Sequence, residues 1–129
     1  MHDGVACLQM VLAYHDISVS IQYLQALPQL SGEPPHSLYD LKKALEEKFL
    51  FKTLAGKMTY QGLSRAPLPA VLHWKQQYFV VLYRQNLQHA WIADPYLGKR
   101  KLDRKSFIKD WTLESNPEAA GVCLLAEYR

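Results

Sequence analysis

With two cysteines, Cys7 and Cys123, the chain cannot build a disulfide framework, and their separation matches no zinc-ligand spacing. Both read as buried thiols, one in an early helix and one in a late apolar strand, which suits a reducing, cytosolic setting. No apolar run comes near the ~20 residues needed to cross a bilayer. The start also lacks the basic, apolar and cleavage regions of a secretory signal. The chain by itself is therefore expected to be soluble, although an opening at Met1-His2-Asp3 leaves almost nothing ahead of the first helix. Charge is thin too. The formal net charge of +3 comes with basic clusters only at Lys99-Arg100-Lys101 and Arg104-Lys105, too sparse a footprint for nucleic acid. Metal binding is not expected, because His73 and His89 have no partner at helical i+4 or strand i+2 spacing.

What is present fits a globular chain. Hydrophobic residues make up 49% and charged residues 21% of 129 residues, enough for one core, and no repeat or linker divides it. A single domain over residues 1–129 is expected. Val5 to Tyr14 is apolar nearly all round, with Gln9 the one strongly polar member, so it predicts a buried helix with Asp3 as its N-cap. Ser20 to Leu27 predicts a short second helix stopped by Pro28. A third begins after Ser37, with Leu38, Leu41, Ala44 and Leu45 on one face. From Phe51 the period changes. Short strands are expected at Phe51–Leu54, Ala70–Trp74, Tyr78–Arg84, His89–Ala93 and Gly121–Tyr128, with a helical turn near Thr59 and a short helix over Ser106–Trp111 introduced by a basic loop. Helices first and antiparallel strands after is the α+β signature.

Three places carry the chemistry. A polar turn at Asp3 runs into the first helix, a hairpin at Trp74-Lys75-Gln76-Gln77-Tyr78 feeds a strand, and Asp94-Pro95 closes the next strand. In a papain-like layout these positions supply nucleophile, base and base-orienting residue. The helix N-terminus matters there because its partial positive charge stabilises a thiolate. Here the turn offers a carboxylate. Cys7, one helical turn further on, sits among apolar residues, a setting that raises a thiol's pKa and leaves it inert.

Gly4-Val5-Ala6-Cys7-Leu8-Gln9-Met10, Leu68-Pro69-Ala70-Val71-Leu72-His73-Trp74 with Phe79-Val80-Val81, and Ile92-Ala93-Asp94-Pro95-Tyr96-Leu97-Gly98 followed by Phe107 and Trp111 occur in a characteristic order. In that order they resemble the C39 peptidase family, whose members stand at the N-terminus of bacterial ABC exporters and cut double-glycine leader peptides. The resemblance covers nearly the whole chain. It implies a papain-like cysteine-peptidase fold, with N-terminal helices packed on an antiparallel sheet. It places the family's cysteine on Asp3, its histidine on Tyr78 and its orienting aspartate on Asp94; the oxyanion glutamine would fall ahead of the first residue.

Catalytic groups act as a unit, so replacing two of them implies a chain that is not an enzyme. The resemblance is then to the degenerate C39-like domains of type I secretion exporters of RTX-type toxins and adhesins. It implies a domain on the cytoplasmic face of the bacterial inner membrane that binds unfolded secreted protein. Its other partners would be the nucleotide-binding and membrane parts of the same transporter. It would carry no cofactor itself, with ATP and magnesium in the rest of the transporter. Trp74, Tyr78 and Tyr96 are the expected substrate contacts, Trp74 and Tyr78 because they flank the hairpin. Two other functions remain open on the sequence: a working thiol peptidase using Cys7 with His73 or His89, and a module that regulates the transporter's ATPase.

Overall fold

The computed structural model describes residues 2–128. Helix α1 (Asp3–Tyr14), α2 (Ile21–Gln25) and α3 (Leu38–Lys43), which widens into a π-helical turn at Ala44–Lys48, come first. Strands β1 (Lys52–Thr59), β2 (Ala70–Trp74), β3 (Tyr78–Gln85), β4 (His89–Asp94), β5 (Gly98–Asp103) and β6 (Ala120–Glu127) follow, with short helices α4 (Tyr60–Leu63) and α5 (Arg104–Thr112) between them. The strands form one sheet in the order β1-β6-β2-β3-β4-β5, antiparallel at every pairing. This is the α+β arrangement that the sequence implies.

The alternation of each strand divides the core between the two faces. On one face Val71, Phe79, Val81, Leu124 and Ala126 meet α1 to α3 through Val5, Leu8, Leu12, Leu24, Leu41 and Leu45. On the other, Leu72, Trp74, Val80, Leu82 and Ile92 meet Tyr60, Leu63, Phe107, Ile108 and Trp111 from α4 and α5. Because strand side chains point alternately to the two sides, a single run such as Tyr78–Gln85 serves both layers. Gln9, the polar residue of α1, donates from Nε2 to the Val19 carbonyl at 2.9 Å and so ties the following loop to the helix.

Local chemistry accounts for most element ends. The Ser20 hydroxyl accepts from the Tyr23 N–H at 3.0 Å. Ser37 and Asp40 form a reciprocal capping box that opens α3. Thr59 opens α4 and Asp103 opens α5 in the same way.

Two expectations need correction. The basic stretch after Gly98 is not a loop but β5. It is an edge strand whose Lys99, Lys101 and Asp103 are exposed, so no apolar alternation marks it. The strand expected at Phe51–Leu54 runs on to Thr59, carried by full pairing with β6 rather than by its own weakly apolar sequence.

Gly121 lets the Trp111 indole of α5 pack directly on the backbone of β6. A Cβ there would overlap the Trp111 indole, whose Nε1 donates to the Val122 carbonyl at 3.1 Å. Gly121→Ala is therefore expected to destabilise the fold by about 1–3 kcal/mol. Gly32→Ala, where an added Cβ meets nothing within 4 Å, should leave stability nearly unchanged. Thermal and urea unfolding of the two variants read the difference.

Candidate functional site

The polar side chains singled out in the sequence meet where the first turn of α1 abuts the ends of β3 and β4. Asp3 is the first residue of α1, with 5% of its surface exposed, and it does not cap the helix. His2 holds the cap position and makes no side-chain cap hydrogen bond. The Asp3 carboxylate instead reaches across to the sheet. Its Oδ2 accepts the Phe79 N–H at 2.9 Å, and its Oδ1 accepts the Tyr96 hydroxyl at 3.3 Å. The expected capping role is thus replaced by a tie between helix and sheet, because the backbone N–H at the start of β3 is buried there and needs an acceptor.

Asp94 is the second centre. It is 2% exposed and closes the β4–β5 turn, with Oδ1 accepting from the N–H groups of Tyr96 at 2.9 Å and Leu97 at 3.2 Å. Oδ2 accepts the Tyr78 hydroxyl at 2.6 Å and faces the Arg100 guanidinium at 3.8 Å. Gly98, which pairs with Asp94 in register, has φ +81°, a conformation that favours glycine, and so completes the turn. The rings of Tyr78 and Tyr96 stand edge to face with centroids 4.9 Å apart.

The electrostatics follow from burial and from two buried carboxylates that share Tyr96 as a partner. The Tyr78 hydroxyl is pushed well above its ordinary value, by burial first and then by the hydrogen bond and negative charge of Asp94. Tyr96 is raised as well, by desolvation of its hydroxyl and then by the charge of Asp3. Cys7 is fully buried, and its thiol is raised well above 9.0 by burial, with Asp3 and Asp94 adding to the shift. Its setting is that of a core thiol. Cys123 lies buried under the opposite face.

The structure therefore brings Asp3, Tyr78, Asp94 and Tyr96 together and leaves Trp74 out. Trp74 has no exposed surface and lies against Phe107 at 5.3 Å between ring centroids, inside the layer of α5. As an expected substrate contact it is corrected: the alternation of β2 turns it inward. Tyr78 is half-buried and Tyr96 is 48% exposed, so both border solvent. His73 lies near Phe79 and His89 near Trp91, and neither is in the cluster.

Sequence reasoning missed the groove beside this cluster. A cavity of about 610 Å3 opens between α1 and strands β3 to β5, lined mainly by Met10, Ala13, Tyr14, Val81, Tyr83 and Ala93, and it ends on Asp94. The spacing of Met10, Ala13 and Tyr14 marks one helical face. That face went unread because α1 is apolar on every side. Chemically, the site offers an apolar trough that ends on the carboxylate of Asp94 and the ammonium of Lys99.

The sequence matches the peptidase C39 family over residues 1–116. It is 35% identical over 119 residues to the lactococcin-G-processing and transport ATP-binding protein LagD of Lactococcus lactis subsp. lactis. That alignment takes in 84% of this chain but only 16% of the relative's length. Among solved structures, a double glycine motif protease from an AMS/PCAT transporter, in complex with the leader peptide, superposes with a TM-score of 0.80 at 23% identity, covering 98% of this chain and 84% of that one. The N-terminal peptidase C39 like domain of a toxin secretion ATP-binding protein from Vibrio parahaemolyticus gives 0.67 at 20%, covering 98% and 97%.

These findings overturn the expectation that the chain is not an enzyme. That expectation rests on two side chains, Asp3 and Tyr78, at positions where the family resemblance places a cysteine and a histidine. The match over residues 1–116 is to a family of peptidases, and the Lactococcus relative is named for processing as well as transport.

Two outcomes are expected from the geometry of the cluster. A phenol whose folded pKa is raised adds stability that is full below its ordinary value of 10.0 and is lost as pH climbs through the raised one. Urea unfolding followed from about pH 8 upward should therefore show stability falling beyond about pH 10, and Tyr78→Phe should flatten that fall. Iodoacetamide at neutral pH should leave Cys7 of the native protein unlabelled while labelling it readily in urea, as mass spectrometry would report.

Proposed function

The chain belongs to the peptidase C39 family, and on that footing we propose that it is the substrate-engaging domain of a bacterial secretion ABC transporter. In this reading it sits at the cytoplasmic face of the membrane and holds an extended segment of the secreted polypeptide before export. The cargo would be of the kind for which two of its relatives are named, lactococcin G and a toxin. ATP and magnesium would act in the remainder of the transporter. The chain spans about 16% of the length of the curated relative it matches, so these roles of the whole protein are inferred.

The observation that carries the proposal is the groove between α1 and the sheet. Its walls are apolar and its end is polar, the composition expected of a site that takes a hydrophobic peptide segment and fixes its terminus by hydrogen bonds. Met10 and Tyr83 are half-buried, and Ala13 and Tyr14 are exposed, so the lining is partly open to solvent. An unfolded segment loses conformational freedom on binding, which costs several kcal/mol and sets the expected affinity on the order of micromolar. Weak capture suits a cargo that must be released into a channel.

Cleavage of the bound segment is the second reading, and family membership together with the processing role in the Lactococcus relative's name supports it. Among the described residues, the polar groups at the groove's end are the carboxylate of Asp94 and the ammonium of Lys99, with the Tyr78 phenol and the Arg100 guanidinium held on Asp94 behind them. One experiment addresses both readings. A fluorescent double-glycine leader of the transporter's own cargo is titrated into the protein, and the mixture is then analysed by mass spectrometry. Binding in the micromolar range is expected. Ala13→Glu, which puts a charge into the apolar trough from an exposed helical position, should weaken it by at least about tenfold. Equal binding to wild type and Ala13→Glu would refute the groove; a cut after the double glycine would establish proteolysis.

A further inference from the structure

Strand β5 ends the sheet, and its outer edge has no strand partner among the described residues. Three cations stand on one face near that edge. Lys99 and Lys101 pair in register with Ala93 and Trp91 of β4, and Arg84 of β3 pairs with Trp91 from the other side, so all three project to the same face as Trp91. The contacts agree with the register. Arg84 lies 4.3 Å and Lys101 5.3 Å from the centre of the Trp91 ring, and Lys99 lies 5.5 Å from that of Tyr83. Each cation rests on an aromatic wall and is exposed to solvent.

None of the three is neutralised. The ion pairs among the described residues are Lys42–Glu46 and Arg100–Asp94, and Arg100 points to the other side of β5. The carboxylate that shares the cationic face is Asp103, at the far end of β5, where it caps α5 by accepting the Ser106 N–H at 3.3 Å. Lysines on an edge strand ordinarily repel a second neutral or basic strand. The same repulsion becomes selection when the incoming strand carries carboxylates, because a guard against most partners is a complement to one.

We propose that the open edge of β5 accepts an extended acidic polypeptide segment as a seventh strand, with carboxylates at alternate positions placed against Lys99 and Lys101. The spacing fits. Residues two apart on a strand are separated by roughly 6.8 Å, so Lys99 and Lys101 have the same period as acidic residues at i and i+2 of an added strand. Directly opposite side chains on neighbouring strands have Cβ atoms about 5 Å apart, within reach of a Lys–Glu pair. A nucleic acid or an anionic membrane is a poorer match. Trp91 has a cation over its ring from the strand on either side, leaving it unsuited to stack on a base or enter a bilayer, and three cations make a narrow patch.

Lys99 borders both the β5 edge and the apolar groove, whereas Arg84 and Lys101 do not line the groove, and Ala13→Glu separates the two sites. The test uses a fluorescein-labelled, capped peptide of alternating glutamate and valine, with its block isomer and its lysine–valine counterpart as comparisons. Anisotropy at low salt should show the alternating acidic peptide binding at least about tenfold more tightly than the block isomer, and weakening as salt rises. Amide shifts should concentrate in Gly98–Asp103. Lys99→Glu/Lys101→Glu should abolish that binding and acquire binding of the lysine–valine peptide, while Ala13→Glu should leave it intact. Equal binding of the two acidic isomers, shifts centred elsewhere, an unaffected double variant, or tighter binding to phosphatidylglycerol vesicles or single-stranded DNA would each overturn the proposal.

Discussion

Two buried carboxylates, Asp3 and Asp94, joined through Tyr96, impose the local structure on which the rest of the molecule depends. A charged oxygen out of water has to be hydrogen-bonded, and the cost of leaving it unpaired runs to several kcal/mol. Asp3 meets this by binding the Phe79 N–H and the Tyr96 hydroxyl. Asp94 meets it with two backbone N–H groups, the Tyr78 hydroxyl and the Arg100 ion pair. Those partners come from β3, β5 and the turn between β4 and β5, while Asp3 itself belongs to α1. Satisfying two side chains therefore fixes where the first helix meets the sheet, and with it the position and width of the groove.

That junction also explains the chemistry on offer. Burial first, then the hydrogen bond and charge of Asp94, raises the Tyr78 phenol, and burial with the two carboxylates added raises the Cys7 thiol. A site so arranged presents hydrogen-bond donors and acceptors at the end of an apolar trough. Membership of a peptidase family and an arrangement suited to gripping a polypeptide are compatible, since any protease must first hold its substrate in an extended, oriented form.

The sequence was most readable where periodicity and capping agree. Ser20, Ser37 and Thr59 marked helix starts that the structure keeps, and β2 begins and ends at the residues expected of it. It was least readable at the two edges of the sheet. Strand β1 is held by pairing with β6, and β5 alternates basic with half-buried residues; neither shows the apolar period that betrays an inner strand. Of the site, the cluster of Asp3, Tyr78 and Asp94 came from a resemblance in order and spacing; in the structure Tyr78 bonds Asp94 directly and Asp3 is linked to Asp94 through Tyr96. Trp74 was misjudged because its neighbours in sequence gave no indication of the face it takes. The groove escaped notice for the opposite reason: an all-apolar α1 hides which of its faces is left uncovered.

The account rests on the groove being where polypeptide is held, and hydrogen exchange on the protein with its unfolded cargo tests this most directly. It predicts slowed exchange confined to α1 and to β3 through β5, the elements that line the groove. Protection centred on α5, on the far side of the sheet, or on β1 and β6, or no protection anywhere, would contradict it.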